Sequence, residues 1–153
     1  MPTDSADQRR WMRRACELAT RCPVSMTAFA VGAVVVDRAG LLIAEGYSRE
    51  DDPDVHAEES ALRKAGGDPR LTAATMYTTL EPCTKRASRP DTTCTGLIVA
   101  ARIPRVVIAW REPDIFVTCE GVARLIAAGI EVIELPEFAA AARAANSHLN
   151  LAP

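Results

Sequence analysis

Two histidines are all that this chain of 153 residues contains, so the surroundings of His56 and His148 bear directly on any imidazole chemistry. Long apolar runs are also missing. No segment reaches the roughly 20 residues of a membrane-spanning helix, and the opening stretch, MPTDSADQRR, is polar with no signal core. A basic surplus is lacking: the formal net charge is -2, which argues against a general nucleic-acid binder. Internal repeats and low-complexity linkers are absent. The five cysteines (Cys16, Cys22, Cys83, Cys94 and Cys119) are odd in number and unevenly spaced, unlike a secreted disulfide framework. What remains is an ordinary globular composition, 48% apolar and 25% charged. A chain of this length buries roughly two-thirds of its unfolded surface without cross-links. The expectation is a single domain over residues 1–153, soluble and cytoplasmic, with no membrane partner.

The hydrophobic pattern alternates between strand and helix periods. Trp11, Met12, Ala15, Cys16, Leu18 and Ala19 recur at helical intervals, predicting a helix over about 5–20. FAVGAVVV (29–36) is a continuous β-branched run suited to a buried strand. A turn at 38–40 and LLIAEGYS (41–48) complete an antiparallel hairpin. A helix over 56–65 ends at Gly66-Gly67. Strands follow at 74–79, 105–110 and 130–135, with helices at 94–102, 119–128 and from Pro136 onward. The helix joining the last two strands requires them to run parallel. The predicted fold class is α/β, a three-layer α/β/α sandwich around a five-stranded mixed sheet.

Two short segments carry chemistry. His56-Ala57-Glu58 opens one helix. Pro82-Cys83 follows a strand where another helix is expected to begin, and Cys94 lies further on. One imidazole and two thiolates make a three-ligand zinc site with a fourth position open for water, the arrangement of a catalytic centre. A zinc ion there makes a nucleophile of water near neutral pH. Proline favours the first helical position, so Cys83 is expected at a helix N-terminus, where the dipole favours thiolate. Glu58 is the candidate proton carrier. His-x-Glu followed by Pro-Cys-x-x-Cys is a signature of zinc deaminases. The sequence meets the first half and departs in the second, because residues 84–93 separate Cys83 from Cys94.

That long insert resembles the deaminase domain of the bifunctional riboflavin-biosynthesis deaminase/reductase, one of the cytidine-deaminase-like zinc deaminases. Those domains carry Pro-Cys-x-x-x-Gly-Arg-Thr-Pro-Pro-Cys; here the segment is LEPCTKRASRPDTTC (80–94). VVIAWREPDIFVTCEGVARLIAAGIEV (106–132) is similar to the family's next stretch, and VGAVVVDRAGLLIAEGYSRE (31–50) to its first hairpin. ARAANSHLN (142–150) looks like the lead into its reductase domain. The likeness runs over about residues 10–149. It implies the cytidine-deaminase-like fold, Zn2+ held by His56, Cys83 and Cys94, Glu58 as proton carrier, and a homodimer or homotetramer. The family's Ser-Pro-Asn-Pro, whose Asn helps hold substrate, is replaced by SMTAFA (25–30), Asp-Pro-Asn by Glu112-Pro113-Asp114, and a usual glycine by Cys119.

Other residues have competing readings. Lys85, Arg86 and Arg89 either clamp a substrate phosphate or form a solvated loop. Trp110 either stacks on a base or packs in the core or an interface. Glu59 is expected in solvent, His148 on the surface of the last helix, and Cys119, the rival ligand, in packing. The leading function is hydrolytic deamination of the riboflavin-pathway diamino-ribosylamino-pyrimidinone 5′-phosphate. The alternative is another small base or nucleoside: cytosine, cytidine, guanine or an antibiotic precursor. Editing of nucleic acid runs against the acidic balance. A scaffold role runs against Glu58, which a purely structural zinc site does not need.

Overall fold

A computed structural model describes residues 5–86, 91–111 and 120–149. Ten elements follow in order: α1 (Ser5–Ala19), β1 (Gly32–Val36), β2 (Leu42–Tyr47), α2 (Ala57–Ala65), β3 (Thr75–Thr78), α3 (Cys94–Ala101), β4 (Arg105–Ile108), α4 (Gly121–Ala127), β5 (Glu131–Glu134) and α5 (Ala139–Ala144). The sheet order is β2-β1-β3-β4-β5. β1 pairs antiparallel with both β2 and β3. β3, β4 and β5 run parallel, as the crossover helix requires.

The strict two-residue period of strands sorts the apolar runs onto two faces. Ala33, Val35, Met76, Val106 and Ile108 face a core formed with Ala57 and Ala61 of α2, Ile98 of α3, and Val122 and Leu125 of α4. The intervening Val34, Val36, Tyr77 and Val107 face Trp11, Met12, Ala15 and Leu18 of α1 and Ala142 of α5. Both faces are covered, which is why β1 reads as uninterrupted hydrophobic sequence. This is the expected α/β/α sandwich.

Glycine fixes where α2 sits. A Cβ on Gly46 would lie 2.8 Å from Ala57 O and from Ala61 N. Only glycine lets β2 and α2 approach so closely, and that contact sets the helix bearing His56 and Glu58.

Two elements differ from the sequence expectation. β1 begins at Gly32, not at Phe29, because side chains hold the backbone of 29 and 30, and Val31 keeps a single main-chain bond there, accepting from Ser48 N at 3.0 Å. Asn146 accepts from Ala30 N (2.7 Å) and donates to Ala30 O (3.0 Å). Ser48 Oγ accepts from Val31 N (3.0 Å), and Arg49 donates to Phe29 O (3.2 Å). The second difference is at Pro82-Cys83, which opens no helix. The insert delays the helix to Cys94, whose first turn binds back: Thr95 Oγ1 donates to Cys83 O at 2.7 Å. The expected start of the fourth helix at Cys119 lies outside the described residues.

Candidate active site

His56 occupies the N-cap of α2, with extended backbone (φ -90°, ψ 160°). Its main-chain N–H donates to Glu59 Oε1 at 3.3 Å, the N3-to-N-cap bond of a capping box. Its ring Nδ1 faces two sulfurs, Cys94 Sγ at 3.3 Å and Cys83 Sγ at 3.7 Å. All three donor atoms lie within 4.8 Å of one another. Tetrahedral zinc, with bonds of about 2.3 Å to sulfur and about 2.0 Å to nitrogen, sets donors roughly 3.5–3.8 Å apart. The cluster fits such an ion, and it joins three residues that the sequence singled out.

The two thiols are electrostatically unequal. Cys83 is pulled down to about 4 by the Cys94 thiol and the His56 ring, against the opposing effect of burial. Cys94 is pushed up by its hydrogen bond to Cys83 and by complete burial. The helix-dipole reasoning survives with a changed helix. Cys94 is the first residue of α3, and its N–H donates to Cys83 Sγ at 3.3 Å. The positive end of α3 therefore supports the Cys83 thiolate from across the site.

His56, Cys83 and Glu58 line one cavity of ≈ 410 Å³, within the size range of small-molecule sites. Glu58 is buried, and desolvation raises its carboxyl to about 7, against the His56 ring and the Thr78 hydroxyl, which favour the ionised form. The segment 25–31 also lines the cavity, through Ser25, Thr27, Phe29 and Val31.

The remaining candidates are distributed differently. Lys85 is exposed and borders the cavity. Arg86 also borders it but is buried, its side chain 2% exposed, and is bonded to protein groups. Arg89 and Cys119 lie outside the described residues. Trp110 stands outside the cavity lining; its ring meets Phe29 edge to face, 5.7 Å between centroids, and Arg143 sits 5.9 Å above it. Phe29 is the aromatic that reaches the cavity, hidden in the sequence inside an apparent strand. Glu59 is not in solvent. It is buried between Arg86 (2.8 Å) and Arg63 (3.2 Å). His148 is half-buried in a 3-10 turn, its Nε2 2.8 Å from Ser25 O. Arg49, which the sequence reading passed over, borders the cavity and donates to Pro23 O and Phe29 O. Cys16, Cys22, Cys83 and Cys94 are all free thiols.

A sandwich of this topology with a His-Cys-Cys cluster beside a buried glutamate defines a metal-site enzyme of the deaminase kind. Residues 5–110 match the cytidine and deoxycytidylate deaminase zinc-binding region, and the chain belongs to that family. It is 45% identical over 131 residues to the diaminohydroxyphosphoribosylamino-pyrimidine deaminase of Schizosaccharomyces pombe, covering 84% of this chain and 32% of that protein. It is 41% identical over 103 residues to the riboflavin biosynthesis protein RibD of Escherichia coli, covering 67% and 26% respectively. The structure is similar to Acinetobacter baumannii RibD, with a TM-score of 0.81 and 34% identity over 95% of this chain and 39% of that one. The chain thus spans about a third of the length of the curated relatives it matches. No helix among the described residues is long and apolar enough to cross a membrane.

Proposed function

We propose that residues 1–153 act as a zinc-dependent hydrolytic deaminase of an aminopyrimidine, with diamino-ribosylamino-pyrimidinone 5′-phosphate as the leading substrate. The observation that carries the reading is the meeting of His56, Cys83 and Cys94 within 4.8 Å beside Glu58 on one cavity wall. The substrate assignment draws on the name of the Schizosaccharomyces pombe relative.

His56, Cys83 and Cys94 hold the metal. Zinc, when bound, lowers the pKa of water to near neutrality and so supplies the nucleophile. Glu58 is placed to accept the two protons of the attacking water in turn, passing the first to the ring nitrogen and the second, released as the new hydroxyl becomes a carbonyl, to the departing amine. A carbon–oxygen bond forms at the amino-bearing ring carbon, the carbon–nitrogen bond breaks, and ammonia leaves. Before the metal binds, burial raises this carboxyl above the ordinary carboxylate range, the direction that suits a group which both takes and returns protons. Phe29 and Val31 supply the apolar wall against which a planar ring would lie. This reading assigns Lys85, exposed at the rim, to the substrate phosphate, together with Arg89, which lies outside the described residues; the buried Arg86 is bonded to protein groups instead.

The second reading keeps the mechanism and changes the base or nucleoside. SMTAFA (25–30) offers Ser25 and Thr27 to the cavity and has no asparagine. With either substrate, the proposal includes a cytoplasmic homodimer or homotetramer. The self-association draws on α3, CTGLIVAA, largely apolar with Val99 41% exposed.

The test is ammonia release by zinc-loaded protein from the phosphorylated diaminopyrimidine, cytosine, cytidine and guanine. Glu58→Gln should lower turnover by about 10²–10⁴-fold with zinc retained. Release only from another compound moves the substrate. Unchanged release by Glu58→Gln removes the catalytic reading.

A further inference from the structure

Arg86 sits three residues after Cys83, in the segment offered above as a phosphate clamp. Its guanidinium is turned inward. One NH2 group donates to Glu59 Oε1 at 2.8 Å and to Asp54 O in a short contact. NH1 donates to Thr92 O at 3.2 Å. Each acceptor is a near neighbour in sequence of a metal donor. Asp54 precedes His56 by two residues, and Thr92 precedes Cys94 by two. Glu59 uses the same oxygen to accept from His56 N, at 3.3 Å. One planar cation, attached close to Cys83, therefore ties together the chain segments that carry all three donors.

No strand pairing does this work. The donors come from the N-cap of α2, the loop after β3 and the first residue of α3. Cys83 and Cys94 are also tied directly, by Cys94 N to Cys83 Sγ and Thr95 Oγ1 to Cys83 O; Arg86 adds the tie from that pair to the segment of His56. Net stability does not explain the residue. A buried ion pair gains little over apolar replacement.

We propose that Arg86 is a positioning residue of the metal centre, fixing the spacing of His56, Cys83 and Cys94 and so the affinity for zinc. The proposal rests on the zinc reading of the site and replaces substrate-phosphate binding as the role of this arginine. Lysine carries the charge but lacks the planar fork that serves several acceptors at once.

The experiment titrates the full chain with zinc against a chromophoric chelator, for wild type, Arg86→Lys, Glu59→Gln and the double variant, with folding checked by circular dichroism. Arg86→Lys is expected to raise the zinc dissociation constant about 10–100-fold, the usual effect of losing a group that orients metal ligands. Glu59→Gln, which keeps the side-chain volume and weakens the tie, should shift it the same way. The double variant should lose less than the product of the two, because they share one interaction. Wild-type zinc affinity in both folded single variants overturns the proposal. Wild-type affinity combined with a KM raised only for the phosphorylated substrate returns Arg86 to the clamp. A wild-type protein that takes no zinc from the chelator overturns the metal reading and this proposal with it.

Discussion

On one side of the cavity, His56 and Cys94 sit at the starts of α2 and α3, and Cys83 receives a hydrogen bond from the α3 N-terminus. Residues 25–31, which also line the cavity as a wall, precede β1 and have one main-chain bond to the β2 side, Ser48 N to Val31 O. That wall hangs from distant side chains: Asn146 on Ala30, Ser48 on Val31, Arg49 on Pro23 and Phe29, and His148 beside Ser25 O. The donor side is fixed by helix ends and buried charge, the wall by individual hydrogen bonds. Changes in the wall can therefore retune binding without disturbing the metal chemistry. The departures from the riboflavin-pathway pattern at 25–30 fall on that wall.

The sharpest break is Cys94→Ala. Zinc at about a thousandfold excess over its dissociation constant stabilises a folded protein by about 4 kcal/mol. The variant should lose that increment, read as the shift in Tm on adding zinc, and ammonia release should fall to background. The wall would be untouched.

Asn146→Ala attacks only the wall. It strips the partners from Ala30 N and O, both in a buried bond, at a cost of about 1–3 kcal/mol in stability. KM should rise about tenfold, the equivalent of ~1.4 kcal/mol, with zinc affinity unchanged. A fall in zinc affinity would show that the two sides are coupled. Steady-state kinetics with chelator titration decides.

The donor side was legible in the sequence because its chemistry is local. His-Ala-Glu spans three residues, and few residue types bind zinc. The sheet was legible because buried strands and the crossover rule leave few arrangements. The wall was not. Asn146 and Ala30 lie 116 positions apart, and a side-chain bond to backbone leaves no period to detect. Phe29 to Val31 therefore read as strand. Glu59 read as solvated because a sequence does not show the buried Arg86 that pairs with it. Pro82 read as a helix start because proline does favour that position, whereas the insert moves the helix to Cys94.

The smallest expected effect separates what the wall does for binding from what it costs the fold. Arg49 has φ 60°, in the left-handed region, which a side chain with a Cβ enters at about 1–2 kcal/mol. Arg49→Ala removes the bonds to Pro23 O and Phe29 O and keeps that backbone cost; Arg49→Gly removes the same bonds and relieves it. Both variants should raise KM by about threefold, the equivalent of ~0.65 kcal/mol. In urea unfolding, the glycine variant should be the more stable by about 1 kcal/mol. Equal stabilities would mean that the turn relaxes once the guanidinium is gone, and that the clamp itself imposes the left-handed backbone. A difference in KM between them would place part of the wall's contribution in the backbone of residue 49 and not in its side chain.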